Sequence, residues 1–326
     1  MPNQIVPVIL PRFADRSKPM AVPALFDAAG PKAVFRLVEF LTANIRNQNT
    51  RAAYGRALCR FSAWCEAHHF RLEQLTSLHI AAYIEELGQN LAKPSVKQNL
   101  AAIRILFDYL VTGQVVPHNP AASVRGPKYV IKRGKTPVLT QGEAQALFAA
   151  IDTSTIAGFR DRALIGVMVY SFARIGAVLG MNVEDYCQRG KRWWLRLHEK
   201  GGKHHEVPVH HKAEEYLDAY LQAAGIVGQR NQPLFRSIDA RRLLTGRRFV
   251  PRDALAMIKR RAKDANLSDE VCCHTFRATG ITNYLENGGA IEKAQQIANH
   301  ESPRTTKLYD RTNDQVSLDE IERIQI

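Results

Sequence analysis

The sequence predicts a mainly helical protein with a small β-sheet, divided into a helical domain and an α+β domain. Three observations predict it. Four apolar stripes at helical spacing fill residues 31–116. A basic stretch rich in proline, 117–139, then interrupts the periodicity. Beyond it the period changes from helical to alternating over Trp193–Val209 and back again. A chain of 326 residues is too long for one ordinary core and comfortable for two.

The elements follow in order. Residues 1–30 read as a flexible lead-in. Pro2, Pro7, Pro11 and Pro19 break it and leave no uninterrupted apolar run of the kind a signal peptide needs. Val34, Leu37, Val38 and Leu41 form the first stripe. Tyr54, Leu58, Phe61 and Cys65 form the second, behind a cap expected at Asn49 or Thr50. Ile80, Tyr83, Ile84 and Leu87 form the third, behind Thr76 or Ser77. Val96, Leu100, Ile103, Phe107 and Leu110 form the fourth, which Gly113 can end. Four such helices with short connections make a small helical domain over 31–116.

Residues 117–139 combine Pro117, Pro120, Pro127 and Pro137 with Arg125, Lys128, Lys132, Arg133 and Lys135. Prolines disfavour a continuous helix, and the cations suit a line of phosphates. The stretch reads as an interdomain linker lying on a polyanion; the plain alternative is an ordinary solvated linker. A second domain, 140–316, opens with a capping box of Thr140 and Glu143. A mostly apolar helix follows Asp161 through Leu164, Ile165, Val167 and Met168. Trp193–His198 reads as a strand. His205, Val207 and Val209 alternate as a second strand, which Pro208 demotes toward an edge. Lys200-Gly201-Gly202-Lys203 between them reads as a hairpin turn. Helical patterns resume near Ala213. In the tail, 317–326, Ser317 and Glu320 form a capping box, and Leu318, Ile321 and Ile324 give one apolar stripe.

Composition narrows the function classes. Lysine and arginine number 45 against 31 acids, a net charge of +14. Such an excess attracts polyanions, and nucleic acid comes first because neutralising phosphates releases counterions. A membrane-surface role needs a basic amphipathic anchor, and none is seen. No apolar run approaches the roughly 20 residues of a membrane span. The five cysteines, Cys59, Cys65, Cys187, Cys272 and Cys273, are odd in number and contain no CxxC. Neither a disulfide framework nor a zinc site is indicated, and a reducing cytoplasm fits best.

A set of residues suits the breaking and resealing of a DNA strand without energy input. That chemistry needs a nucleophile that stays attached to phosphorus and stores the bond, which a tyrosine can be. It needs fixed donors for charge growing on the non-bridging oxygens, for which arginine forks are the best geometric match. It needs a proton for the leaving 5′ oxygen, which lysine or histidine can give. His274 and Arg277 stand three apart, so on a helix they share a face. His300 and Tyr309 follow, with Ser302-Pro303 as a helix start that places Tyr309 on a short helix. Arg174 ends the apolar helix, and Lys200 sits on the glycine hairpin. Each has an ordinary reading alone: a surface pair, a packed tyrosine, a snorkelling arginine, a solvated turn lysine.

Taken in order, these segments resemble the tyrosine recombinase (phage-integrase) family. The matching stretches are Ser171–Ile175, Glu199–Lys203 leading to Val207–Val209, His274–Arg277, Ile297–His300 and Thr305–Tyr309. Asn49–Tyr54 is similar to the opening of the family's helical core-binding domain, so the resemblance spans about Asn49 to Tyr309. It implies a helical core-binding domain followed by an α+β catalytic domain. Arg174 and Arg277 would clamp the scissile phosphate. Lys200 would be the general acid, or Lys203 if the turn register differs. His274 would assist proton transfer or orient the phosphate, His300 would hydrogen-bond it, and Tyr309 would form a 3′-phosphotyrosine. Arg51, Arg125, Lys128, Lys132, Arg133, Lys135 and Lys203 are the candidate DNA contacts. The family implies double-stranded DNA recombination sites as partners, four protomers on two sites, a tail that docks into a neighbouring protomer, and no cofactor or metal. Two positions depart from the family's pattern. Ala177 stands where an acidic residue is usual, with Glu184 or Asp185 as candidate substitutes. Asn299 stands where glycine is usual.

Two neighbouring chemistries stay open on the residues alone. A type IB topoisomerase would relax any supercoiled DNA without a paired site. A non-catalytic DNA-binding regulator would need only the helical domain and the basic linker. A metal-dependent nuclease needs clustered carboxylates, and no DxD-type cluster accompanies these motifs.

Overall fold

A computed structural model describes residues 22–130, 134–199, 204–310 and 321–322. The chain divides into two units, Met1–Val130 and Ile131–Ile326. It is mainly helical with small antiparallel sheets, as the periodicities require. No described helix is long and apolar enough to cross a membrane.

The first unit is all helix: α1 (Ala24–Asp27), α2 (Pro31–Glu39) running into a π-helical turn at Phe40–Asn44, α3 (Gln48–Ala67), α4 (Ser77–Asn90) and α5 (Lys93–Thr112). The apolar stripes face one core that includes Leu37, Leu58, Phe61, Ile80, Ile103 and Phe107. The cap of α3 is Asn47, whose side chain accepts from the Asn49 and Thr50 N–H groups, rather than Asn49 or Thr50 themselves. Thr76 caps α4, and Gly113 closes α5.

Two expectations about the segments flanking this unit need correction. The stretch 1–30 is not wholly a flexible lead-in, because α1 lies in it and buries Leu25 and Phe26 in the helical core. Proline marks the approach, but Pro23 is the cap of α1, where no N–H is needed. The stretch 117–139 is not a free connector throughout. Ala121 and Val124 are buried in the helical core, and the Arg104 guanidinium donates to both their carbonyls. Leu139 belongs to the core of the second unit.

The second unit contains α6 (Gln141–Ala149), α7 (Ile156–Ser171), α8 (Ile175–Gly180), β1 (Tyr186–Arg189), β2 (Arg192–His198), β3 (His204–Pro208), α9 (His211–Ala224), β4 (Arg236–Ile238), β5 (Leu244–Arg248), α10 (Pro251–Asp264), α11 (Cys273–Glu286), α12 (Ile291–Ile297) and α13 (Pro303–Lys307). The Thr140–Glu143 capping box opens α6. β1, β2 and β3 pair antiparallel in that order, so β3 with Pro208 is an edge strand. Leu195, Leu197 and Val207 face the core. The β4–β5 hairpin interrupts the region where helical patterns were expected to continue. Its strands are short and arginine-rich, and their arginines act as plugs. Arg248 donates to the Leu179 and Met181 carbonyls at 2.6 and 2.7 Å.

Helix α7 is buried almost all round, with Leu164, Ile165, Val167 and Met168 at 0% exposure. Within it Asp161 is fully buried and accepts from Arg160 and Arg261, which satisfies both of its oxygens. Helix α11 packs across α7 at a distance that only a glycine allows. A Cβ on Gly280 would stand 2.1 Å from the Val169 carbonyl oxygen and 2.7 Å from the Phe172 ring. Gly280→Ala therefore forces α11 away from α7. The expected cost is about 1–3 kcal/mol, read as a lower melting temperature. Wild-type stability in this variant would show that the helices do not need this approach.

Candidate active site

The turn after α7 sets the first part of the site. Phe172 ends that helix in the left-handed region, at φ 54° and ψ 19°. A bulky residue there is a genuine outlier, and such outliers cluster at functional sites. The turn aims the Phe172 carbonyl at α11, where Arg277 donates to it through Nη1. Arg277 donates through Nη2 to the Ala298 carbonyl at 2.6 Å. Its guanidinium is thus held between two backbone oxygens from opposite sides while only 1% exposed. A guanidinium has more donors than these two bonds use, so some remain for an anion.

Arg174, two residues on, is the cap residue of α8 and stays partly exposed. Its Nη1 donates to Glu199 Oε2 at 2.8 Å. Glu199 is the residue that sequence reasoning missed. Ala177 is buried in α8, as its apolar side chain requires. Glu184 instead stands near Arg230, and Asp185 accepts from the Asn182 N–H and lies 3.3 Å from His198. The signal for Glu199 was strand alternation. Leu195 and Leu197 point inward, so residue 199 at the exit of β2 inherits the inward face.

His274 lies in the first turn of α11, one turn before Arg277, and remains exposed at the rim. The crowding of protein around it, then the charges of Arg277 and Arg174, hold its imidazole below the ordinary histidine range. His300 is buried, and its Nδ1 is 2.9 Å from Thr306 Oγ1. Burial, then Arg277, Arg174 and His274, push it down to about 3, so it is neutral in the folded chain. Burial and then Arg174 lower Arg277 itself to about 10, with Tyr309 and Glu199 opposing the shift. The Tyr309 ring lies nearly parallel to that of His300, centroids 5.7 Å apart, and is 8% exposed. Tyr309 does not sit on the short helix as expected. α13 ends at Lys307, and Tyr309 occupies the turn beyond it.

Asn299 explains one departure from the family's pattern. It adopts φ 48°, the left-handed conformation that glycine takes most easily and asparagine tolerates next best. The turn it makes delivers His300.

The structure therefore brings Arg174, His274, Arg277, His300 and Tyr309 together in one unit. Arg51 is partly exposed, and its guanidinium donates to the Ile45 and Thr42 carbonyls at 2.9 and 3.1 Å. Arg125, Lys128 and Lys135 are exposed. Lys132, Arg133, Lys200 and Lys203 lie outside the described residues, as does the tail apart from Ile321 and Glu322. Among the described residues no group of three histidine, cysteine or acidic side chains is placed to hold a metal ion.

Residues 137–316 match the phage integrase family, and residues 35–115 match the phage integrase N-terminal SAM-like domain. The chain belongs to the phage integrase family of tyrosine recombinases. The tyrosine recombinase XerC of Pelobacter propionicus is 31% identical over 277 residues, which cover 84% of this chain and 86% of that protein. XerC of Chlamydia muridarum is 31% identical over 237 residues, 72% of each chain. The fold is shared with XerH recombinase bound to palindromic difH substrate (TM-score 0.70, 16% identity, 91% of this chain and 84% of that one). It is shared too with a λ integrase dimer bound to a COC′ core site (TM-score 0.66, 18% identity, 92% and 100%). This recombinase is thus a tyrosine-type site-specific enzyme.

Two outcomes follow from the site's electrostatics. Glu199→Gln keeps the shape but removes the charge that orients Arg174. A charge-assisted hydrogen bond contributes about 1.5–3 kcal/mol, and partial exposure puts this one at the low end. Strand cleavage should slow roughly tenfold with DNA binding little changed, measured as single-turnover adduct formation. A wild-type rate would mean that Arg174 is oriented without Glu199. The second outcome concerns His300, at about 3 when folded against 6.5 for the free side chain. Between those values the unfolded chain takes up the proton and the folded chain does not. Its contribution to stability is full above 6.5 and is lost as pH falls toward 3. His300→Gln should therefore show a smaller drop in melting temperature on acidification than wild type. An equal drop would assign the acid sensitivity to other groups.

Proposed function

We propose that the recombinase cuts and rejoins double-stranded DNA at specific sites through Tyr309, in a conservative reaction with no net loss of phosphodiester energy. The observation that carries this reading is the gathering of two guanidiniums and two imidazoles around one tyrosine. The phenolic oxygen, its proton passing to His274 or to solvent, attacks phosphorus; a new P–O bond forms and the bond to the 5′ oxygen breaks. The strand's 3′ phosphate stays on Tyr309, and the 5′ oxygen leaves as a hydroxyl after taking a proton. Arg174 and Arg277 meet the charge that grows on the non-bridging oxygens. His300, being neutral, offers one N–H to the phosphate without adding charge. His274 orients the phosphate or takes part in proton transfer. Lys200 supplies the proton to the leaving oxygen, with Lys203 as the alternative on the same turn. Attack by a 5′ hydroxyl from the partner strand reverses the step and reseals the DNA.

Because the phosphotyrosine stores the bond, the chemistry as written calls for no cofactor. We assign the working assembly to four protomers on two sites, exchanging strands in pairs through a Holliday junction; a λ integrase tetramer has been crystallised on such a junction. Arg51, Arg125, Lys128, Lys132, Arg133, Lys135 and Lys203 are proposed as phosphate contacts; Arg51 keeps donors beyond those that hold the Ile45 and Thr42 carbonyls. The natural role is proposed as integration or resolution for a mobile element, a reading that rests on family membership. Tyr309→Phe tests the chemistry. It should bind DNA as wild type does and form no covalent adduct on a nicked suicide substrate. An adduct in that variant would move the nucleophile to another residue.

A further inference from the structure

Tyr309 stands past the end of its helix, so its position depends on what reaches it from elsewhere. Its own N–H donates to Thr306 at 2.9 Å. Thr282 Oγ1 on α11 donates to its carbonyl at 2.8 Å. A third hold comes from a distant part of the sequence. The Gly134 N–H donates to the carbonyl of Leu308, the residue just before Tyr309, at 3.0 Å.

From Gly134 the chain continues toward α6, and Val138 packs on the small cluster that contains Tyr309, Phe172, Ala278 and Ile281. The Leu139 N–H donates to Thr279 Oγ1 at 3.0 Å. Thr279 is two residues from Arg277 on α11. The segment 134–139 thus ties the peptide that carries the tyrosine to the helix that carries the buried arginine. The approach at Gly134 excludes a side chain, since a Cβ there would stand 2.6 Å from the Leu308 carbonyl oxygen.

We propose that Gly134–Leu139 is a positioning strap that fixes the Tyr309 hydroxyl relative to a phosphate held by Arg174 and Arg277. The proposal rests on Tyr309 being the nucleophile. In-line attack needs the reacting atoms about 3–3.5 Å apart, and a misplacement of about 1 Å can cost on the order of 10²-fold in rate. Gly134 is a positioning residue: it touches neither the phosphate nor the tyrosine hydroxyl, and it acts through the Leu308 peptide. Thr279 anchors the other end by accepting the Leu139 N–H.

The test uses two variants at opposite ends of the strap, Gly134→Ala and Thr279→Val, each in the full chain. Adduct formation at saturating DNA should fall at least about tenfold, while DNA affinity stays near wild type and the folded chain remains intact at the assay temperature, with a melting temperature only modestly lower. The same changes are then placed in the Tyr309→Phe protein with hydrogen peroxide added. There the hydroperoxide anion attacks phosphorus and expels the 5′ hydroxyl, a reaction that needs the arginines but not the tyrosine's position. Peroxide-driven cleavage should match that of Tyr309→Phe alone. An adduct rate within twofold of wild type in both variants overturns the strap, as does an equal loss of peroxide-driven cleavage, which would mean general damage to the site. Adduct formation by Tyr309→Phe itself would instead overturn the assignment of the nucleophile and leave the strap without an object.

Discussion

A positive charge that is almost completely removed from water governs the second unit. Arg277 lies on a helix that is buried nearly all round, and its guanidinium is held by two backbone carbonyls, with the Tyr309 side chain also close enough to hydrogen-bond it. Burying an ion without partners costs several kcal/mol, so both carbonyls must be delivered accurately. One comes from Phe172, which takes a left-handed backbone to present it. The other comes from Ala298, at the end of α12 just before the left-handed turn at Asn299. The close packing of α11 on α7 at Gly280 brings the first within reach. Strain at two non-glycine residues and a bare Cα at a third thus serve the same group.

Positive charge is concentrated around the site. Arg174 and Arg277 depress each other's neighbours, and Glu199 is the carboxylate that offsets them. His300 responds by staying neutral, and His274 is pushed the same way. Under the proposed function, a phosphate bound there would meet donors already held in place by the fold. Little reorganisation is left for the moment of reaction, which is where preorganised electrostatics have their largest effect.

Much of this was legible in the sequence, and the reasons differ by element. The long helices announced themselves because each buries one continuous face, as in Val96, Leu100, Ile103 and Phe107. The β2–β3 hairpin was readable from alternation. The β4–β5 hairpin was not, because Arg236 and Arg248 serve as buried or half-buried donors and look like solvated residues in a linear pattern. The short helix α1 was hidden by the prolines around it. Arg174, His274, Arg277, His300 and Tyr309 stood out in the sequence because their chemistry and order are specific, and the fold gathers them in one unit. Glu199 escaped because its partner stands 25 residues away and no local spacing records that pairing. The hold of Gly134 on Leu308 escaped for the same reason, since a backbone bond across such a separation leaves no side-chain signature.

The hydrophobic residues around Tyr309 form a cluster of their own, apart from the main core of the unit. Local opening of a protein costs less where fewer apolar contacts must be given up, and satellite clusters open before the main core does. That cluster draws on α11 through Ala278 and Ile281 and on the end of α12 through Ala298, whose carbonyl also holds Arg277, so loosening it would release the tyrosine and its buried arginine together.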